Sequence, residues 1–131
     1  MTAGYSGTPL EAKLGVQPGS RVLIDGAPDG FALSLPDGAS SPARGPYDVI
    51  LCFCPGAARM HARFGPLRKR LTEAGRLWVA WPKKASGVPT DLTDNVVRAY
   101  GLAEGLVDVK VCAVNETWSG LAFVVRLADR R

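Results

Sequence analysis

The chain is poor in the residues that most often carry chemistry or cross-links: it has one histidine, His61, and three cysteines, Cys52, Cys54 and Cys112. An odd cysteine count at these spacings does not suit a disulfide framework. With a single histidine, Cys and His alone cannot supply the usual four-ligand zinc set. No metal is expected. Also missing is any apolar run near the ~20 residues needed to cross a bilayer. The opening MTAGYSGTPLEAKLG has neither the basic start nor the apolar segment of a secretory signal. A cytoplasmic protein without a membrane partner is the expectation.

What is present points to one α/β domain. With 131 residues and 47% hydrophobic content, residues 1–131 are sized for a single core that buries roughly two-thirds of the unfolded surface. Residues 1–19 form a helix and a lead-in. Thr8-Pro9 reads as a hydroxyl cap followed by proline at the first helical position, and Gly15 ends that helix. Tyr5 to Gly7 reads as a flexible start or a lid. RVLID is β-rich and stops at Gly26, after which APDGFALSLPDGASSPARGP holds too much Gly, Pro, Ser and Asp for regular structure, beyond a short helix over Phe31 to Leu35.

YDVILCFC is short and nearly all apolar, as befits a strand covered on both faces. Met60, Phe64, Leu67 and Leu71 then fall at helical spacing, Pro66 should kink or divide that helix, and Gly75 should end it. RLWVAW is a second buried strand. Thr90 is the expected cap of a helix whose Leu92, Val96 and Tyr100 share a face. LVDVKVCAV and GLAFVVRL, separated only by NETWS, must pair as an antiparallel hairpin. The last strand is expected between RLWVAW and LVDVKVCAV. The predicted class is a three-layer α/β domain with a mostly parallel sheet of about five strands and a reversed strand at its end.

The formal charge of +4 resides in residues 56–74, where Arg59, Arg63, Arg68, Lys69 and Arg70 outweigh Glu73. A solvated helix face accounts for this, and a nucleic-acid or acidic-partner patch is the alternative. Cys52 and Cys54 alternate about Phe53, so they share a sheet face and read as small buried side chains rather than a redox C-x-x-C pair. His61 reads as solvent-facing.

Ligands of open α/β sheets bind beyond the carboxyl ends of the strands. That edge receives GAPDG, CFCPG, WPKKASG and NETWSG. Candidate ligand-binding residues are therefore Asp29, Trp81, Lys83, Lys84, Ser86, Gly87, Asn115, Glu116 and Trp118, with Trp81, Lys83 and Lys84 facing Glu116 and Trp118 across one cleft. Lysines beside Ser86 and Gly87 suit a phosphate or carboxylate held also by backbone N–H groups. Lysine–Glu116 ion pairs, with Trp118 on a lysine stem, would instead simply join two loops. Asp29 serves either a ligand or its own turn.

LGVQPGSRVLIDGAPDGFA resembles the opening of a class I methyltransferase, LTEAGRLWVAW a later strand of that superfamily, and the closing hairpin its last two strands. The resemblance implies a Rossmann-like, truncated methyltransferase-like topology. It does not imply the S-adenosylmethionine cofactor, because GAPDG keeps only Gly26 and Gly30 with Pro28 between them. Moreover, about twenty residues stand between RVLID and YDVILC, where the superfamily has two further strands and its ribose-binding acid. No cofactor is expected. Over nearly the full length, GYSGTPLEAKLG, WPKKASG with TDLT, and GLVDVKVCAVNETWSG resemble a bacterial family of small proteins defined only as a domain of unknown function.

The function these readings favour is a non-catalytic domain binding an anionic small molecule or protein segment at the strand-end edge. Two alternatives stand beside it: a reduced methyltransferase or other transferase using Lys83, Lys84 and Glu116, and a nucleic-acid accessory protein using the basic helix.

Overall fold

The computed structural model describes residues 8–130, so the reading of Tyr5 to Gly7 lies outside the described residues. Five strands form one sheet: β1 (Val22–Asp25), β2 (Tyr47–Phe53), β3 (Leu71–Pro82), β4 (Leu106–Ala113) and β5 (Trp118–Val125). Their spatial order is β1-β2-β3-β5-β4. The pairs β1–β2 and β2–β3 are parallel, whereas β3–β5 and β4–β5 are antiparallel. The expected mostly parallel, Rossmann-like class is therefore corrected: the sheet is mixed. The last strand, β5, does lie between β3 and β4 as expected, and one reversed strand in that position makes two of the four ladders antiparallel.

The two faces are covered unequally. Helices α2 (Ala57–Arg68) and α3 (Asp94–Ala103) lie on one face, where Met60, Phe64, Leu67 and Val97 join Ile50, Leu77, Val79 and Phe123 in one core. Among the described residues the other face has no comparable helix layer, which corrects the three-layer expectation. It is covered by α1 (Leu10–Leu14) and the irregular stretch between β1 and β2, with Leu14, Phe31, Leu33 and Ala39 against Val49, Leu51, Phe53 and Trp78. Prolines 28, 36, 42 and 46 deny this stretch a helix, and the expected turn of helix over Phe31 to Leu35 is absent. Phe31 instead meets Phe53 edge to face, with ring centroids 4.9 Å apart.

α1 begins one residue later than expected, with Pro9 as its cap, and ends at Gly15 in the left-handed region (φ 90°). Its last carbonyl, Leu14 O, accepts the indole N–H of the fully buried Trp78 at 2.9 Å. That bond satisfies a helix-end acceptor and a buried donor together.

Two helix boundaries differ from the sequence reading. α2 retains Pro66 but stops at Arg68, so Leu71 opens β3 and Gly75 lies inside a strand. The ladder slips there, Tyr47 pairing with Leu71 but Val49 with Arg76, and a Cβ at Gly75 would stand 2.9 Å from Asp48 O. The glycine marks a bulge rather than a helix end. α3 starts later than expected because Thr93, not Thr90, accepts the N–H of Val96, at 3.2 Å. Its buried face is formed by Val97 and Gly101, and Val96, expected on that face, is exposed.

Candidate functional site

β1, β2 and β3 run parallel and end on one edge, and the chain leaving β3 is bound there to the hairpin: Lys83 N donates to Thr117 O at 2.8 Å. A single 3-10 turn over Lys84–Ser86 follows, closed by Gly87 at φ 75°. The chain then crosses to the start of α2. Thr90 Oγ1 donates to Pro55 O at 2.7 Å, and the Asp91 carboxylate accepts from Ala57 N at 2.8 Å. This path encloses a cavity of about 620 Å³ between the end of β3, the start of α3 and the β4–β5 ladder.

Trp81 and Leu92, both buried, lie at its floor, while Val88, Pro89, Val111 and Ser119 form walls. Lys83 and Lys84 stand on its rim. The carboxylate lining it, Asp94, is bound by Arg98, whose Nε also donates to Asp108 at 2.9 Å. Among the described residues, neither lysine has an ion-pair partner. The rim therefore presents two uncompensated positive charges above an apolar floor.

Of the nine residues singled out from sequence, Trp81, Lys83, Lys84 and Gly87 meet in this cavity. Trp118 does not, and the shared cleft with Trp81 is corrected. Neighbouring strand residues point to opposite faces, and the register sets Trp118 opposite Pro82, while Ser119 opposes Trp81. Trp118 accordingly packs edge to face on Phe53, centroids 5.1 Å apart, on the far side of the sheet. Glu116 is exposed and pairs with neither lysine. Asn115 caps the hairpin turn, its Oδ1 accepting from Thr117 N and Trp118 N, both at 2.9 Å. Asp29 lines a smaller hollow of about 380 Å³ with Asn115 and Phe31.

The expected backbone anion nest is narrowed to Lys84 N and Ala85 N, the N–H groups of this loop that the turn does not use. Ser86 N and Gly87 N donate to Lys83 O and Lys84 O, and Val88 N donates to Ser86 Oγ at 3.2 Å. Ser86 Oγ itself donates to Lys83 O at 2.7 Å. Sequence reasoning missed Val88, Leu92, Thr93, Val111 and Ser119. Thr93 was recoverable as a competing cap, whereas Val111 and Ser119 needed the hairpin register.

A second polar cluster sits at the end of β1. Asp25 accepts from Arg59 Nη2 at 2.7 Å and from Arg63 Nε and Nη2 at 3.1 and 3.2 Å, and Arg59 Nε donates to Phe53 O at 2.8 Å. The Cys52 and Cys54 sulfurs lie 3.6 Å apart, on one face as expected. The bond to Cys54, then burial, push the Cys52 thiol far up, whereas the bond from Cys52, aided by the Arg59 charge, draws Cys54 down. The Arg59 guanidinium fills the space over Gly26, where a Cβ would be 2.3 Å from Nη2. The first glycine loop is thus closed by the chain itself, and Asp91 already occupies the α2 N-terminus.

The basic helix is similarly engaged. Besides Arg59 and Arg63, Arg68 donates to Glu104 O, and Arg70 reaches Ala43 O at 3.3 Å and lies 5.2 Å from the centroid of the Tyr47 ring. His61 is exposed, with its ring 4.7 Å from that of Tyr100.

Among the described residues no group of three or more His, Cys, Asp or Glu side chains could hold a metal ion, and no helix is long and apolar enough to cross a membrane. No protein-family model matches the chain, and no curated protein matches it.

Proposed function

We propose that the chain is a non-catalytic binding domain that takes an anionic ligand in the cavity beyond the end of β3. The observation that carries this reading is the pair Lys83 and Lys84, standing without ion-pair partners over a preformed cavity of about 620 Å³, within the usual range for small-molecule sites. No histidine or cysteine lines the cavity, and its carboxylate is held by Arg98. Glu116, which a transferase reading needs beside the lysines, is not among its lining residues. Four of the five cations in residues 56–74 are engaged within the chain, which weighs against a nucleic-acid reading. WPKKASG and TDLT, on which the resemblance to the bacterial family of unknown function partly rests, build this cavity. Membership of that family is likewise a proposal, and it rests on the sequence resemblance.

Calorimetry with inorganic phosphate at constant ionic strength tests the reading. Changing Lys83 and Lys84 together to alanine should weaken phosphate binding at least about tenfold, the order expected from losing a single charge-assisted hydrogen bond. Stability should move by less than about 1 kcal/mol, since neither side chain has an ion pair to lose. A loss of several kcal/mol with phosphate binding unchanged would make the lysines structural and end the proposal.

A further inference from the structure

We infer that the ligand of this cavity is an amphipathic acid: a compact apolar body carrying one anionic head group. The inference rests on the anion-binding reading and adds the chemistry of the rest of the molecule. Charge is confined to the rim, while the floor is the Trp81 indole and Leu92. Val88 and Val111, on two walls, are 45% and 51% exposed, two of the few large apolar side chains that solvent reaches. An apolar body lying between them would take that surface out of water.

Most of the loop's own donors are already committed. The N–H groups of Lys83, Ser86, Gly87 and Val88 are all bonded within the protein. Thr90 Oγ1 donates to Pro55 O. A nucleotide diphosphate placed here would meet two ammonium groups but, from the loop backbone, only the adjacent N–H groups of Lys84 and Ala85, and a polar body would leave most of its hydroxyls unpaired against indole and valine. A carboxylate or phosphate monoester on a short chain or ring satisfies both parts of the site: head at the lysines, body on Trp81.

The experiment is a probe series followed by tryptophan fluorescence and calorimetry at fixed ionic strength: acetate and inorganic phosphate as heads without bodies, hexanol as a body without a head, and hexanoate and hexyl phosphate as both. A buried methylene contributes about fourfold in affinity, so with about three to four methylenes buried between the valines the two amphipathic probes should bind on the order of a hundredfold more tightly than their bare heads. Whichever of the two binds more tightly names the head. Lys83→Ala/Lys84→Ala should reduce both to the level of hexanol. Val111→Thr, which keeps the side-chain shape, should weaken both severalfold and leave inorganic phosphate unchanged. Equal affinity for phosphate and hexyl phosphate would overturn the inference and leave the anion site standing. Equal affinity for hexanol and hexanoate, unaffected by the lysine changes, would overturn the anion reading as well. No binding of any probe in the millimolar range would overturn both.

Discussion

A methyl group on Gly101 would lie 2.0 Å from Cε1 of Phe123, a ring that is itself wholly buried. The ring is also held edge to face against Phe64, with centroids 5.7 Å apart, so it has little room to move aside. Gly101→Ala should therefore cost about 1–3 kcal/mol by overpacking, although alanine is the better helix former, and urea unfolding measures it directly. The thiols give a second residue-level expectation. Cys52 and Cys54 are buried and Cys112 is part-exposed, so an aromatic disulfide reagent should find one thiol in the native protein and all three after denaturation. Burial holds the Cys112 thiol above its ordinary value of 9.0. The native chain consequently keeps a proton that the unfolded chain loses as the pH rises past that ordinary value, and stability falls with further rise. Cys112→Ala should flatten this alkaline decline between pH 8 and 10, read as the shift in urea midpoint.

At the scale of elements, α2 owes its N-terminal acceptor to a different part of the chain. Gly56 offers no side-chain cap, and the Asp91 carboxylate, from the loop before α3, bonds Ala57 N instead. Asp91→Ala should lower stability by about 1 kcal/mol, the usual value of a lost cap. Asp91→Asn keeps the oxygen and should recover most of that loss. This dependence was not legible in the sequence, where Asp91 is one polar residue among several. Strands were legible, since YDVILCF and RLWVAW have apolar runs that no helix pattern explains. Lys83, Lys84 and Gly87 could be placed at the site because they follow a strand end. The face on which each tryptophan falls was hidden, as a one-residue difference in hairpin register decides whether Trp118 opposes Trp81 or Pro82. Ser86 was misread for a related reason: its hydroxyl can serve a ligand or its own turn, and spacing does not distinguish them.

For the molecule as a whole, the arrangement of charge matters more than its sum. The excess of +4 lies in residues 56–74, yet most of those guanidinium groups face Asp25, backbone carbonyls or the Tyr47 ring. Duplex DNA at physiological salt should accordingly bind no more tightly than about 0.1 mM, the weak end of non-specific association, as a mobility-shift titration would show. S-adenosylmethionine should bind no more tightly than the millimolar range in calorimetry, since Arg59 covers Gly26 and Pro28 removes a donor from the loop. The position of β5 has a further consequence, one of timing. β3 and β4 have no ladder with each other; each pairs with β5, which follows both in the chain. During synthesis the sheet can therefore grow only as far as β1, β2 and β3, with the edge of β3 open and β4 unpartnered, until residues 118–125 have left the ribosome and inserted between them. Exposed strand edges of this kind are where nascent chains associate wrongly. A stalled chain ending before Trp118 should consequently be protease-sensitive and bind chaperones, whereas one extended beyond Val125 by enough residues to clear the exit tunnel should not.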